Sequence, residues 1–191
     1  MLARLKVIVA LALSFGLAFA APALCQEIPK SKQTALGKYI DARQTFDLVN
    51  KDRSKVLFVD VRTSAELMFV GMTQEMDAHV PFMEMLPEWD AKAERYRMAP
   101  NASFVQQIEA QLAKKGLTKT DSVVLMCRSG ERSARAVNAL AAAGFTNAFS
   151  LIEGFEGDLS KDGQRTINGW KNAGLPWDYK LDKAKLAAST P

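Results

Sequence analysis

The stretch DSVVLMCRSGERSARAVNALAAAG, residues 121–144, decides the fold of this chain. Residues 121–126 form a short apolar run with β-branched side chains, which predicts a buried strand. Residues 133–143 are rich in alanine and have one apolar face, which predicts a helix that Gly144 ends as its C′ residue. Cys127 therefore stands in a tight turn between a strand and a helix.

This turn has the composition of an anion-binding site. Its backbone N–H groups and the positive end of the following helix would point towards the sulfur of Cys127. Arg128 and Arg132 add positive charge. We therefore predict that Cys127 is a thiolate at neutral pH and a nucleophile. The alternative, a buried structural cysteine, fits poorly with two neighbouring arginines and a glycine turn.

The turn resembles the active-site loop of the rhodanese-like sulfurtransferases, in which a cysteine is followed by four residues and then by an arginine or a similar polar residue. The match to Cys-Arg-Ser-Gly-x-Arg-Ser is close, and the strand and helix around it strengthen the match. The resemblance implies that Cys127 is catalytic and carries the transferred sulfur as a persulfide. It also implies a set of substrate-binding residues around that sulfur: Arg128, Ser129, Gly130, Glu131, Arg132 and Ser133.

A second strand–turn–helix unit lies earlier in the chain. The apolar run 56–59 predicts a strand, and residues 63–66 have the spacing of a capping box that opens a helix. Between them, Asp60 and Arg62 follow a strand end, where ligands of parallel sheets bind. The pattern Asp-Val-Arg-Thr-x-x-Glu again resembles the rhodanese family. We expect Asp60 to be structural, holding loop N–H groups or an arginine, and Arg62 to belong either to the site or to a surface ion pair.

The remaining elements alternate in the same way, which predicts an α/β fold built around a mainly parallel central sheet. The resemblance further implies that this α/β fold is a rhodanese-like three-layer sandwich, and that a single such domain covers residues 38–177. Further strands are predicted at 38–40, 78–82 and 146–151, and further helices at 41–51 and 102–115. Asp41 and Gln44 have the spacing of a capping box at the start of the first of these helices.

Three segments lie outside this regular pattern. Residues 83–100 look like an insertion, partly helical, which is either a surface flap on the core or a lid or docking surface. Residues 26–37 are polar and predict a flexible lead-in, and residues 178–191 predict a C-terminal tail, frayed from Tyr179. His79, the sole histidine, is expected to be structural or on the surface.

The N-terminal segment has the pattern of a secretory signal peptide. Arg4 and Lys6 precede the uncharged apolar run 7–19, and small residues allow cleavage after Ala20, Ala23 or Cys25, of which we favour Cys25. Residues 1–25 are then removed, and the protein is periplasmic or otherwise secreted, with an uncleaved membrane anchor as the alternative. Loss of Cys25 would leave Cys127 as the single cysteine, which makes an internal disulfide impossible.

The resemblance implies a sulfurtransferase that moves sulfane sulfur from thiosulfate or a similar small anionic donor to a thiol or cyanide acceptor. Cysteine carries the transferred atom, so no metal or organic cofactor is expected. The sequence pI is about 9.1, but no long Lys/Arg run indicates nucleic acid as a partner. No membrane partner is expected after signal cleavage, whereas an exported protein partner is compatible with the sequence.

Two other functions remain open at this point. The chain could be a persulfide carrier or redox partner that turns over little by itself. It could also be a relative of phosphatases or arsenate reductases, whose cysteine–arginine loops are one residue longer and form a wider cradle. Only four residues separate Cys127 from Arg132, and the negative charge of Glu131 disfavours a doubly charged phosphate.

Overall fold

A computed structural model describes residues 27–186 and shows helices on both faces of a parallel sheet. The sheet strands are β1 (Tyr39–Ile40), β2 (Val56–Asp60), β3 (Ala78–His79), β6 (Ser122–Met126) and β7 (Ala148–Leu151), and a hairpin is formed by β4 (Met83–Asp90) and β5 (Arg95–Pro100). The helices are α1 (Ala42–Lys51), α2 (Ser64–Val70), α3 (Phe104–Lys115) and α4 (Glu131–Ala142). The strand order is β1-β7-β6-β2-β3, with every neighbouring pair parallel, so the predicted α/β sandwich is confirmed.

The central strands are buried on both faces, as expected for a parallel sheet covered by helices on each side. In β2, Leu57 and Val59 pack into the apolar cluster that holds α3 and α4. Val56 and Phe58 point to the opposite cluster, which holds α1 and α2. Because both faces are covered, the ends of the strands are where the sheet can present a site.

Local capping determines where α1 and α2 begin. Asp41 with Gln44 and Thr63 with Glu66 both form the reciprocal bonds of a capping box, as the sequence predicts. Helix α4 begins at Glu131, two residues before its predicted start at Ser133. The first residues of the helix are therefore part of the turn that carries Cys127.

Several predicted helices and strands begin or end at slightly different residues, as β7 does at Ala148 and not at residue 146. Helix α3 begins at Phe104 and not at residue 102, because the Asn101 side chain accepts a hydrogen bond from the Ser103 N–H at 3.0 Å and forms a turn first. The third strand is limited to Ala78–His79 of the predicted 78–82.

The prediction that residues 83–100 are partly helical is wrong. They form an antiparallel hairpin in which Met83 lies opposite Pro100 and Trp89 opposite Tyr96. The Trp89 and Tyr96 rings meet edge to face, with centroids 5.8 Å apart, and such cross-strand aromatic pairs stabilise hairpins. The helix-like residues 91–94 form the turn, where the Asp90 carboxylate accepts N–H bonds from Lys92 and Ala93.

Both flanking segments pack on the domain more than predicted. In the expected lead-in, Lys32 is 8% exposed and its ammonium lies 2.6 Å from the Asp158 carboxylate, so this segment is attached and not loose. In the expected frayed tail, Asp178 exchanges backbone hydrogen bonds with Met72, and Leu186 forms a parallel bridge to His79. The tail is therefore attached to the sheet edge as far as Leu186.

Within residues 27–186, no helix has both the length and the apolar character that a membrane crossing requires. The predicted signal peptide and its cleavage sites, residues 1–25, lie outside the described residues.

Candidate active site

Cys127 lies at the carboxyl end of β6, one of the inner strands of the sheet, with 1% of its surface exposed. The Gly130 N–H donates to its Sγ at 3.2 Å, and the Ser133 hydroxyl lies 3.5 Å from the same sulfur. Helix α4 starts at the next residue, Glu131, so its positive end faces the sulfur. These contacts suit a sulfur that carries negative charge.

A second loop, residues 152–157, holds the Cys127 turn in place from behind. The Cys127 carbonyl accepts from the Phe155 N–H at 2.8 Å, and the Arg128 carbonyl accepts from the Glu156 N–H at 2.9 Å. Gly130 has a φ of +99°, and a Cβ there would lie 2.0 Å from the Ile152 carbonyl oxygen. Glycine is therefore required at residue 130 both for its backbone conformation and for its close approach.

Arg132 is held by a carboxylate that the sequence did not assign to the site. Its two terminal nitrogens donate to Glu66 at 2.6 and 2.5 Å in a bidentate pair. Burial acts to raise the pKa of Glu66, but the hydrogen bonds and charge of Arg132 outweigh it and bring that pKa to about 2. The Arg132 guanidinium, which the resemblance places among the substrate-binding residues, is thus already paired with a carboxylate.

The other predicted loop residues lie around or behind the sulfur. Arg128, Ser129, Glu131 and Arg132 line one cavity with Cys127, whereas Gly130 and Ser133 are buried behind it. Arg128 is largely exposed, and its Nε donates to the Glu156 carboxylate at 2.6 Å.

Asp60 and Arg62 form a buried ion pair below the site. The Asp60 carboxylate accepts from the Arg62 backbone N–H at 3.0 Å and from its guanidinium at 2.6 Å, which agrees with the predicted structural role of Asp60. Arg62 does form an ion pair, but a buried one and not one on the surface. It does not line the cavity and stacks 3.9 Å from the Phe155 ring centroid, so any role in the site would be exerted from behind the cavity wall. His79 is also buried, with its Nε2 2.8 Å from the Arg62 carbonyl oxygen.

The cavity above Cys127 has a volume of about 690 Å³. One wall is the hairpin, which contributes Met83, Met85 and Met98. Arg165 lines it from the loop after β7. The sequence offered a lid or docking surface as one alternative for residues 83–100, which include the three methionines, but it gave no signal for Arg165, which reaches the cavity only through the tertiary fold. Within the part of the chain described, no cluster of three His, Cys, Asp or Glu side chains could hold a metal ion.

The chain is similar in sequence and in fold to known proteins. The family described as "Rhodanese-like domain" matches residues 41–161. The crystal structure of Rv0390 from M. tuberculosis is similar, with 28% identity and a TM-score of 0.57 over 78% of this chain and 100% of that one. The polysulfide-sulfur transferase homodimer of Wolinella succinogenes has 21% identity and a TM-score of 0.44, covering 77% of this chain and 80% of that one.

A curated relative matches a shorter stretch. The uncharacterized protein RP600 of Rickettsia prowazekii (strain Madrid E) is 38% identical over 58 residues, which are 30% of this chain and 42% of that protein. The chain thus spans less than half the length of this relative.

Proposed function

The chain belongs to the rhodanese-like domain family, and from that premise we propose that it is a sulfurtransferase that works through a Cys127 persulfide. The observation that carries the proposal is the Cys127 sulfur at the start of α4, which accepts the Gly130 N–H and faces a cavity large enough for a sulfur donor. Such a position favours a thiolate and stabilises negative charge that arrives with a donor.

The first half-reaction follows from this arrangement. The Cys127 thiolate attacks the sulfane sulfur of thiosulfate, and a new S–S bond forms as the bond to the sulfonate sulfur breaks. The electron pair of the broken bond leaves with sulfite, and the single negative charge of the thiolate passes to the terminal sulfur of the persulfide. The Gly130 N–H and the α4 N-terminus then stabilise that charge.

The second half-reaction regenerates the enzyme. A thiolate acceptor attacks the outer sulfur of the persulfide, which leaves Cys127 as thiolate and the acceptor as a new persulfide, so atoms and charge balance. Ser133 supports the loop throughout, because its hydroxyl donates to the Gly130 carbonyl at 3.0 Å. This sequence of steps needs only the sulfur of Cys127 as carrier.

We also propose that the protein acts outside the cytoplasm. The support is the basic, then apolar, then small-residue pattern of residues 1–25. An amino-terminal sequence of the protein purified from its own cell would test this, and a start at Met1 or Leu2 in the cytoplasmic fraction would contradict it.

The replacement Cys127→Ser tests the nucleophile. We expect sulfite release from thiosulfate to be lost, because serine is nearly isosteric but far less nucleophilic at neutral pH, while the thermal unfolding transition is retained. Intact mass after incubation with thiosulfate should show one added sulfur on the natural protein and none on the variant.

Each alternative has its own outcome in the same assay. Activity retained in Cys127→Ser would refute the mechanism. Stoichiometric sulfur on Cys127 that no small thiol removes would favour the carrier role over the enzyme. Robust hydrolysis of aryl phosphates, lost in Cys127→Ser, would favour the phosphatase relationship.

A further inference from the structure

The arginines of the active-site cavity differ in whether their charge is already paired. Arg128 lies against Glu156 and Arg132 against Glu66. The other three arginines that line the cavity, Arg95, Arg135 and Arg165, have no carboxylate within ion-pair distance among residues 27–186. Arg165 differs from the other two because its Nε is buried and has no hydrogen-bond partner in this part of the chain, while its Nη1 donates to the Gly157 carbonyl oxygen. A buried donor without a partner costs free energy, so this guanidinium is suited to receive an anion.

The surroundings of Arg165 act against its positive charge. Burial lowers the pKa of Arg165, and the neighbouring charge of Arg128 lowers it further, which outweighs the opposing charges of acidic neighbours such as Glu156 and Asp158. An anion bound at this guanidinium would add a favourable charge interaction. The cavity therefore offers a cationic position that is separate from the Arg132–Glu66 pair.

The cavity as a whole is larger and more apolar than the binding of thiosulfate requires. Its volume of about 690 Å³ is in the range of small organic ligand sites, and a compact inorganic anion would fill a small part of it. The hairpin contributes Met85, Tyr96 and Met98 to one wall, and Phe69 of α2 contributes another apolar ring. Phe69, Met85 and Tyr96 are 75%, 48% and 51% exposed and line the same cavity, so they form an exposed apolar patch and not isolated side chains.

Building on the proposed sulfur transfer at Cys127, we propose that this cavity binds an organic sulfur compound in which an apolar body joins the sulfur to an anionic group. Arg165 is the charge partner of the anionic group, and the hairpin methionines and Tyr96 form the wall against the apolar body. Arg165 would thus determine specificity, while Cys127 performs the chemistry.

Alkylation of Cys127 by four iodoacetyl reagents tests the proposal without any sulfur transfer. Iodoacetamide is small and neutral, iodoacetate is small and anionic, N-phenyliodoacetamide is aromatic and neutral, and 4-(iodoacetamido)benzoate is aromatic and anionic. Each rate is divided by the rate with free cysteine to remove intrinsic reactivity. We expect the aromatic anion to be accelerated most, by about tenfold over its neutral aromatic counterpart, as a cationic cleft concentrates anions.

Variants of Arg165 and Met98 distinguish the effect of the positive charge from the effect of the apolar cavity wall. Arg165→Gln should lower the ratio of anionic to neutral aromatic rates more than Arg135→Gln does, because Arg135 lines the cavity without a buried, unpartnered donor, and Arg165→Lys should retain part of the preference. Met98→Ser should instead slow both aromatic reagents relative to the small ones. Arg97→Gln is the matched control, because Arg97 is exposed on the same hairpin and does not line the cavity.

Several results would overturn the proposal. They are equal normalised rates for all four reagents, an unchanged ratio in Arg165→Gln, an equal fall of that ratio in Arg97→Gln, or no alkylation of the folded protein by any reagent. Failure of the proposed function is distinguishable, because thiosulfate turnover would then be absent while the alkylation pattern follows Arg165.

Discussion

Glu66 joins two parts of the molecule through one carboxylate. Its Oε2 accepts from the Thr63 N–H at 3.0 Å, which caps α2, and from Arg132 at 2.6 Å, which belongs to the turn that carries Cys127. The two side chains are 19% and 18% exposed, so the pair is only partly screened by water. A carboxylate in this position orients the first turn of α4 and compensates the charge beside Cys127.

This pairing predicts a pH dependence of stability. The pKa of Glu66 falls from 4.5 to about 2 on folding, so its contribution is complete above pH 4.5 and is lost as the pH falls towards 2. The linkage amounts to roughly 3 kcal/mol. We expect Glu66→Gln to lower the free energy of unfolding at pH 7, with the difference from the natural protein shrinking between pH 4.5 and 3.

Denaturant unfolding at several pH values measures this difference. Glu109→Gln is a suitable control, since Glu109 forms an exposed ion pair with Lys119 and should contribute only about 0–1 kcal/mol. A Glu66→Gln difference that stays constant from pH 7 to 3 would contradict the assigned role of Glu66.

At the scale of the elements, helix α4 is bounded by two glycines that serve different purposes. Gly130 at its start and Gly144 after its end have φ angles of +99° and +87°. Only Gly130 also lies against another part of the backbone, the Ile152 carbonyl, whereas a Cβ at Gly144 would meet nothing within 4 Å. The first glycine is thus needed for the contact of two loops, and the second only for the end of a helix.

The two glycine-to-alanine replacements should therefore differ sharply. Gly144→Ala should cost about 1–2 kcal/mol of stability, the usual effect of a side chain in the left-handed region, and leave Cys127 reactivity unchanged. Gly130→Ala should cost more and slow both sulfur transfer and alkylation, because the turn must move away from Ile152. Thermal unfolding and iodoacetamide rates measure these effects, and equal behaviour of the two variants would show that the loop contact is unimportant.

At the scale of the whole molecule, the C-terminal segment completes the sheet at its β3 edge. Trp177 packs edge to face on Phe155, with ring centroids 6.1 Å apart, and Asp178 pairs with Met72 through two backbone hydrogen bonds. Leu186 extends the coverage to His79. An exposed strand edge favours association with other chains, so this segment also protects the domain.

Two truncations test how the segment contributes. A chain ending at Lys180 keeps Trp177 and Asp178, and we expect it to lose about 1 kcal/mol. A chain ending at Pro176 loses them both and should lose at least about 2 kcal/mol, since a large aromatic side chain no longer packs. Denaturant unfolding gives the two values, and light scattering reports association. Equal losses would mean that Trp177 and Asp178 add nothing to the edge.

The local parts of the fold and the site were predictable from the sequence. A strand, a tight turn and a helix around Cys127 follow from periodicity, and the starts of α1 and α2 follow from their capping boxes, because these signals act between residues close in the chain. The same local reasoning failed for residues 83–100. Residues 91–94 within this segment have a composition that favours a helix, but they form the turn of a hairpin, because the strands on either side of them pair with each other.

Only the tertiary structure decided which distant side chains meet Cys127. Glu66 and Arg132 are 66 residues apart and pair because the carboxyl ends of β2 and β6 lie side by side. Arg165 reaches the cavity from another part of the chain and carries no local signal, and the sequence left open whether residues 83–100 lie over the site or elsewhere on the surface. The sequence by itself therefore determined the position of Cys127, the candidate nucleophile, and the form of its loop, whereas long-range packing determined the charge balance and the shape of the space above it.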